Sequence, residues 1–101
     1  MDRKEFLIQM EKNFRAGLKL VEAKNTDYAS GNDPFKNFRA AEMLGMTLEQ
    51  GILLRMSDKM ARIGNLLKSE QKVTDESIED TLLDLMNYAN ILLSYQQSKQ
   101  N

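Results

Sequence analysis

The sequence contains no cysteine and no histidine. Without cysteine there are no disulfides, thiol nucleophiles or thiolate metal ligands. Without histidine there is no Ser-His-Asp catalysis, no histidine zinc site and no ordinary histidine pH switch. Any catalysis by this chain falls to carboxylates, lysine, tyrosine or a metal held by oxygen. One proline and five glycines leave little material for turns. No apolar run approaches the roughly 18 residues of a membrane span. The opening MDRKEFLIQM lacks the apolar stretch of a leader, so neither a leader nor a membrane partner is expected. Neither sign of charge dominates: 14 basic and 15 acidic residues give −1. Capture of long nucleic acid, driven by phosphate neutralisation, is therefore not expected. A cysteine-free chain fits a cytoplasmic setting.

What is present is helical pattern. With 101 residues, 42% of them hydrophobic, the chain is expected to form one domain with a modest core and a tendency to self-associate. Leu7, Met10, Phe14, Gly17 and Val21 recur every three or four residues, which predicts a long amphipathic helix over residues 2–24. The turn-rich segment NTDYASGNDPF follows, from Asn25 to Phe35. Asp33 before Pro34 reads as an N-cap with proline at the first helical position. The short helix it opens is expected to stop at Gly45. Thr47 and Gln50 have capping-box spacing and open a third helix. Leu48, Ile52, Leu53, Met56, Met60, Ile63 and Leu67 give that helix an apolar face. A fourth helix is expected from Thr74 or Asp75. Its main apolar face is Ile78, Leu82, Leu85, Met86, Ala89, Leu92 and Leu93, followed by a frayed polar tail from Gln96. The expected fold is an all-α bundle of three long helices and one short one.

Three polar groupings are candidates for chemistry. On the fourth helix Glu76, Asp80, Asp84 and Asn87 share a face, flanked by Leu83, Tyr88 and Ile91. A row of carboxylates repels itself unless a cation or basic groups sit among them, and oxygen ligands of this kind suit magnesium. The alternative is a solvated or salt-bridged acidic face. On the third helix Arg55, Asp58, Lys59 and Arg62 form one polar stripe, with Gly51 ahead of it admitting a close neighbour or ligand. This stripe either grips a phosphate or pairs with the acids across the bundle. The third grouping is the loop: Lys24, Asn25, Asp27, Tyr28 and Asn37 as polar contacts, with Phe35 and Phe38 either stacking on a base or anchoring the short helix to the core.

Three segments, KNTDYASGNDPFKNF, RMSDKMARIGNLL and DESIEDTLLDLMNYANILL, resemble those of a family of small, mostly bacteriophage proteins, the nucleotide modification associated domain of type one. The resemblance covers about residues 24–93. It implies a nucleotide-related role in the host bacterial cytoplasm but no particular reaction. More distantly, the acidic helix beside a basic one is similar to the all-α nucleoside triphosphate pyrophosphohydrolases of the MazG type. That likeness implies a Mg2+-dependent hydrolase working as a homo-oligomer. Glu76, Glu79, Asp80 and Asp84 would then be the catalytic acids. Asp58, Glu76, Asp80 and Asp84 would hold the metal, while Lys24, Arg55, Lys59 and Arg62 would hold phosphates. Of that group's two acidic pairs, ExxE then ExxD, only Glu76 and Glu79 are present, as an ExxE. Three functions follow: a Mg2+-dependent nucleotide hydrolase, a non-catalytic sponge that sequesters a nucleotide or cyclic-nucleotide immune signal, and a structural partner of a larger phage enzyme.

Overall fold

The computed structural model describes residues 1–28, 32–68 and 75–100, excepting the side chains of 25–28 and 75–77. The described elements form the expected small all-α bundle. They are α1 (Arg3–Tyr28), a 3-10 turn (Lys36–Phe38), α2 (Ala40–Met43), α3 (Leu48–Lys68) and α4 (Asp75–Ser98). Helix α4 is the hub: α3 packs along one side of it and α1 along another, while α2 and the 3-10 turn pack on α3.

The Gly45 stop and the capping box of α3 act as the sequence predicts, whereas Asp33 is not a helix N-cap: that position is Phe35 for the 3-10 turn and Arg39 for α2. Thr47 Oγ1 accepts from the Gln50 amide at 3.0 Å, and Gln50 Oε1 accepts from the Thr47 amide at 2.9 Å. This reciprocal capping box satisfies two orphan donors at the start of α3. Gly45 ends α2 at φ +82°. The Gly45 amide donates to Glu42 O and the Met46 amide to Ala41 O, the paired bonds of a Schellman stop. Asp33 accepts from the Phe35 amide at 3.0 Å, and Arg39 bridges Asp33 and Glu42. The short helix expected after Pro34 is in fact two pieces, a 3-10 turn and one turn of α-helix.

Two boundaries differ from expectation. Helix α1 runs four residues past Lys24, through Asn25, Asp27 and Tyr28, so these belong to its last turn rather than to a loop. Asn, Thr and Asp lower helix propensity only mildly, and no glycine or proline occurs between Lys24 and Gly31 to stop propagation. Helix α4 likewise continues to Ser98 instead of fraying from Gln96. Glu49 of α3 holds that end, accepting from Gln96 Nε2 at 3.1 Å and Lys99 Nζ at 2.7 Å.

The core is small. Phe38, Leu48 and Ile52 are buried, with Phe35, Met56, Tyr88, Ile91, Leu92 and Tyr95 packed against them. Tyr95 meets Phe35 edge-on at 5.0 Å, and Tyr88 meets Phe38 edge-on at 6.1 Å. These aromatic contacts set the rotation of α4. They bring Thr81, Tyr88, Ile91 and Tyr95 inward and leave Leu82, Ala89 and Leu93 exposed, contrary to the apolar face expected. Leu53, Met60 and Leu67 of α3 are also exposed. No described helix is long and apolar enough to cross a membrane.

Candidate functional site

Two glycines set the spacing around the site. Gly17 lets α1 lie against α4, since a Cβ there would fall 2.6 Å from Asn87 Oδ1 and 2.8 Å from Met86 Cε. Gly51 lets α2 lie against α3, since its Cβ would fall 2.7 Å from Ala41 Cβ. The close neighbour expected at Gly51 is thus the chain's own α2.

Between α1, residues 34–38, α3 and α4 lies a cavity of about 580 Å³, a size suited to a small-molecule ligand. Lys24, Asn37, Arg55, Asp84 and Asn87 all line it; they come from α1, the 3-10 turn, α3 and α4. Phe14, Leu18 and Val21 form the α1 wall, and Phe35, Phe38, Tyr88 and Ile91 the opposite one. Phe38 therefore anchors the core and lines the cavity at once, so the two readings of the loop phenylalanines are compatible. Asn90 and Ser94 extend the polar row begun by Asn87. The sequence reading missed them, although the spacing 87, 90, 94 places them on one helical face.

The electrostatics of the cavity follow from one ion pair. Asp84 Oδ2 sits 2.9 Å from Lys59 Nζ, both side chains partly buried. Of the two readings of its stripe, Lys59 takes ion pairing: it is the counter-ion of Asp84 and does not line the cavity. Arg55 lies over the Phe38 ring, 5.2 Å from its centroid, in cation–π range. Its Nη2 is 3.5 Å from the Asn37 carbonyl, too long to count as a strong bond. Neither Arg55 nor Lys24 forms an ion pair with a described residue. With Asp84 compensated by Lys59, the charge lining the cavity that lacks an ion-pair partner among the described residues is positive.

The remaining expected site residues lie elsewhere. Asp58, Arg62, Glu79 and Asp80 are exposed and outside the cavity lining. The side chains of Asn25, Asp27, Tyr28 and Glu76 fall outside the described residues. Among the described residues no three acidic side chains come together to share a metal ion. The described donor set therefore does not amount to a magnesium site, and no chemical step is derived through one.

Comparison with known proteins identifies the family. The model for nucleotide modification associated domain 1 matches residues 24–94. The chain belongs to this family. The matched segment begins at Lys24 and ends at Ser94, both cavity residues, and includes Asn37, Arg55, Asp84 and Asn87. The α1 wall of this domain, Phe14 to Val21, precedes it. No curated protein and no solved structure matches the chain, so the likeness to MazG-type hydrolases rests on sequence pattern alone.

Proposed function

We infer that the protein binds a nucleotide in the cavity and holds it intact. The observation that carries this is the pairing of two cations without an ion-pair partner among the described residues, Lys24 and Arg55, with an aromatic wall in one cavity of suitable volume. Lys24 and Arg55 take the phosphates, Arg55 offering a planar fork of donors. Phe35, Phe38 and Tyr88 supply a face for the base, and Asn37, Asn87 and Asn90 meet its polar edges. Family membership supports a nucleotide-related role. Sequestration stands ahead of Mg2+-dependent hydrolysis because Asp84 is taken up by Lys59 and because Glu79, Asp80 and Asp58 stand away from the cavity.

The test is to mix purified protein with a panel of ribo- and deoxynucleoside triphosphates and cyclic dinucleotides, with and without Mg2+. Filtration and heat release then report the fate of each. Intact nucleotide retained by the protein and recovered on heating is the expected result. Arg55→Ala and Lys24→Ala should each weaken retention about tenfold or more, the worth of one charge-assisted hydrogen bond. A Mg2+-dependent product that Asp80→Asn and Asp84→Asn abolish would establish the hydrolase instead. Passage of every nucleotide unchanged would leave a protein partner as the reading to pursue.

A further inference from the structure

Helix α1 is 26 residues long, yet residues 3–16 are all exposed and, among the described elements, the helix packs only on α4, around Gly17. A helix segment of about four turns is marginal in water unless its apolar face is covered. Phe6, Leu7, Met10, Phe14 and Leu18 form that face at helical spacing, and Leu7, Phe14 and Leu18 are 52%, 52% and 56% exposed. Phe14 and Leu18 also line the cavity. The uncovered stripe and the open wall of the site are therefore one continuous surface.

We propose that a second copy of this chain packs on the exposed stripe of α1 and, by covering Phe14 and Leu18, completes the wall of the cavity. The second half of this statement rests on the nucleotide-binding reading; the interface itself does not. Area favours a copy as the occupant. The chain exposes 8030 Å², where a compact monomer of 11.6 kDa exposes about 5800 Å². An excess of about 2200 Å² per chain matches what each member of an obligate homodimer buries. The radius of gyration, 15.7 Å, likewise exceeds the roughly 12.7 Å of a compact domain this long. Charge agrees. Glu11 and Arg15 lie on one flank of the stripe, two residues either side of Asn13. An antiparallel second α1 sets each against the opposite sign on its mate, the self-complementarity that a two-fold interface requires. The local Glu11–Arg15 pair, 2.9 Å apart and exposed, can share its charges across such a seam.

Sedimentation equilibrium of the wild-type chain, Leu7→Asp and Met60→Asp tests this, with trinitrophenyl-ATP fluorescence as the binding readout. Leu7 is exposed and outside the cavity lining. Dilution of the wild-type chain reads the same equilibrium without a substitution. The expected result is a wild-type mass twice that of the chain, retained by Met60→Asp and halved by Leu7→Asp. Leu7→Asp should also bind trinitrophenyl-ATP about tenfold or more weakly, the worth of losing one apolar wall contact. A monomeric wild type overturns the proposal, as does a dimer that Met60→Asp dissociates and Leu7→Asp does not. A monomeric Leu7→Asp with wild-type affinity overturns completion of the site. A dimer dissociated by Leu7→Asp that binds no trinitrophenyl-ATP establishes the interface and overturns the nucleotide reading alone.

Discussion

The two packed glycines, Gly51 and Gly17, separate stability from function at single positions. A methyl at Gly51 meets Ala41 Cβ, which cannot turn aside. Gly51→Ala should therefore lower the free energy of unfolding by about 1–3 kcal/mol despite the better helix propensity of alanine, measured by urea denaturation. A methyl at Gly17 meets the ends of two flexible side chains, Asn87 and Met86. Gly17→Ala should stay within about 1 kcal/mol of wild type, yet alter nucleotide retention, because Asn87 must move within the cavity it lines. Lys24, Asn37, Arg55, Asp84 and Asn87, which line the cavity, stood out in the sequence, the first two as polar groups of the loop and the other three as polar residues at helical register. Which partner Lys59 takes was not legible. Whether a cation meets a phosphate or a carboxylate depends on which faces of α3 and α4 meet, and helical periodicity fixes each face only relative to its own axis. Part of the cavity's apolar wall was hidden for a related reason: Phe14 and Val21 read as ordinary core positions at helical spacing, while Phe38 was open between core and base stacking.

At the scale of elements, short-range chemistry was the most readable part of the chain. The Thr47–Gln50 box and the Gly45 stop are decided within a few residues, so sequence alone places them. Thr47→Ala should cost about 1 kcal/mol, seen as a lower denaturation midpoint, because it leaves the Gln50 amide without its cap. What sequence misplaced were ends fixed by distant groups. Nothing near Gln96 predicts that Glu49 will hold it, and α4 continues because that contact exists. The same contact gives a pH signature. Lys99 holds the Glu49 carboxyl below its usual range, and Glu49 raises the Lys99 ammonium. Arg39 likewise lowers Asp33. For the lowered acids the stabilisation is fully present above their ordinary values near 4 and is lost as pH falls through the lowered ones. For Lys99 it is present below the ordinary lysine value near 10.4 and is lost as pH rises through the raised one. Melting temperature should therefore be flat around neutrality and fall below about pH 4. Glu49→Gln should lose less on acidification than wild type; an equal loss would mean that the contact at the end of α4 contributes nothing.

For the whole molecule, the governing fact is how little of the apolar surface the described residues bury. Three hydrophobic side chains are buried among the described residues, while α1, α3 and α4 each leave leucines in the open. Fold class was legible because helical periodicity runs through nearly the whole chain; which faces meet was not, because more apolar faces exist than one copy of the bundle uses. If association supplies the missing burial, melting temperature should rise with protein concentration, as mass action requires of a folded dimer in equilibrium with unfolded chains. A melting temperature independent of concentration would count against it. The edge-on ring pairs have an optical consequence. The chain has no tryptophan and three tyrosines, two of which are the partners of Phe35 and Phe38. Near-ultraviolet circular dichroism should therefore rest largely on Tyr88 at the cavity wall and on Tyr95 packed behind it on Phe35, whereas the far-ultraviolet signal rests on the helices. A condition that silences the first and spares the second will have melted the binding site inside a still-helical protein.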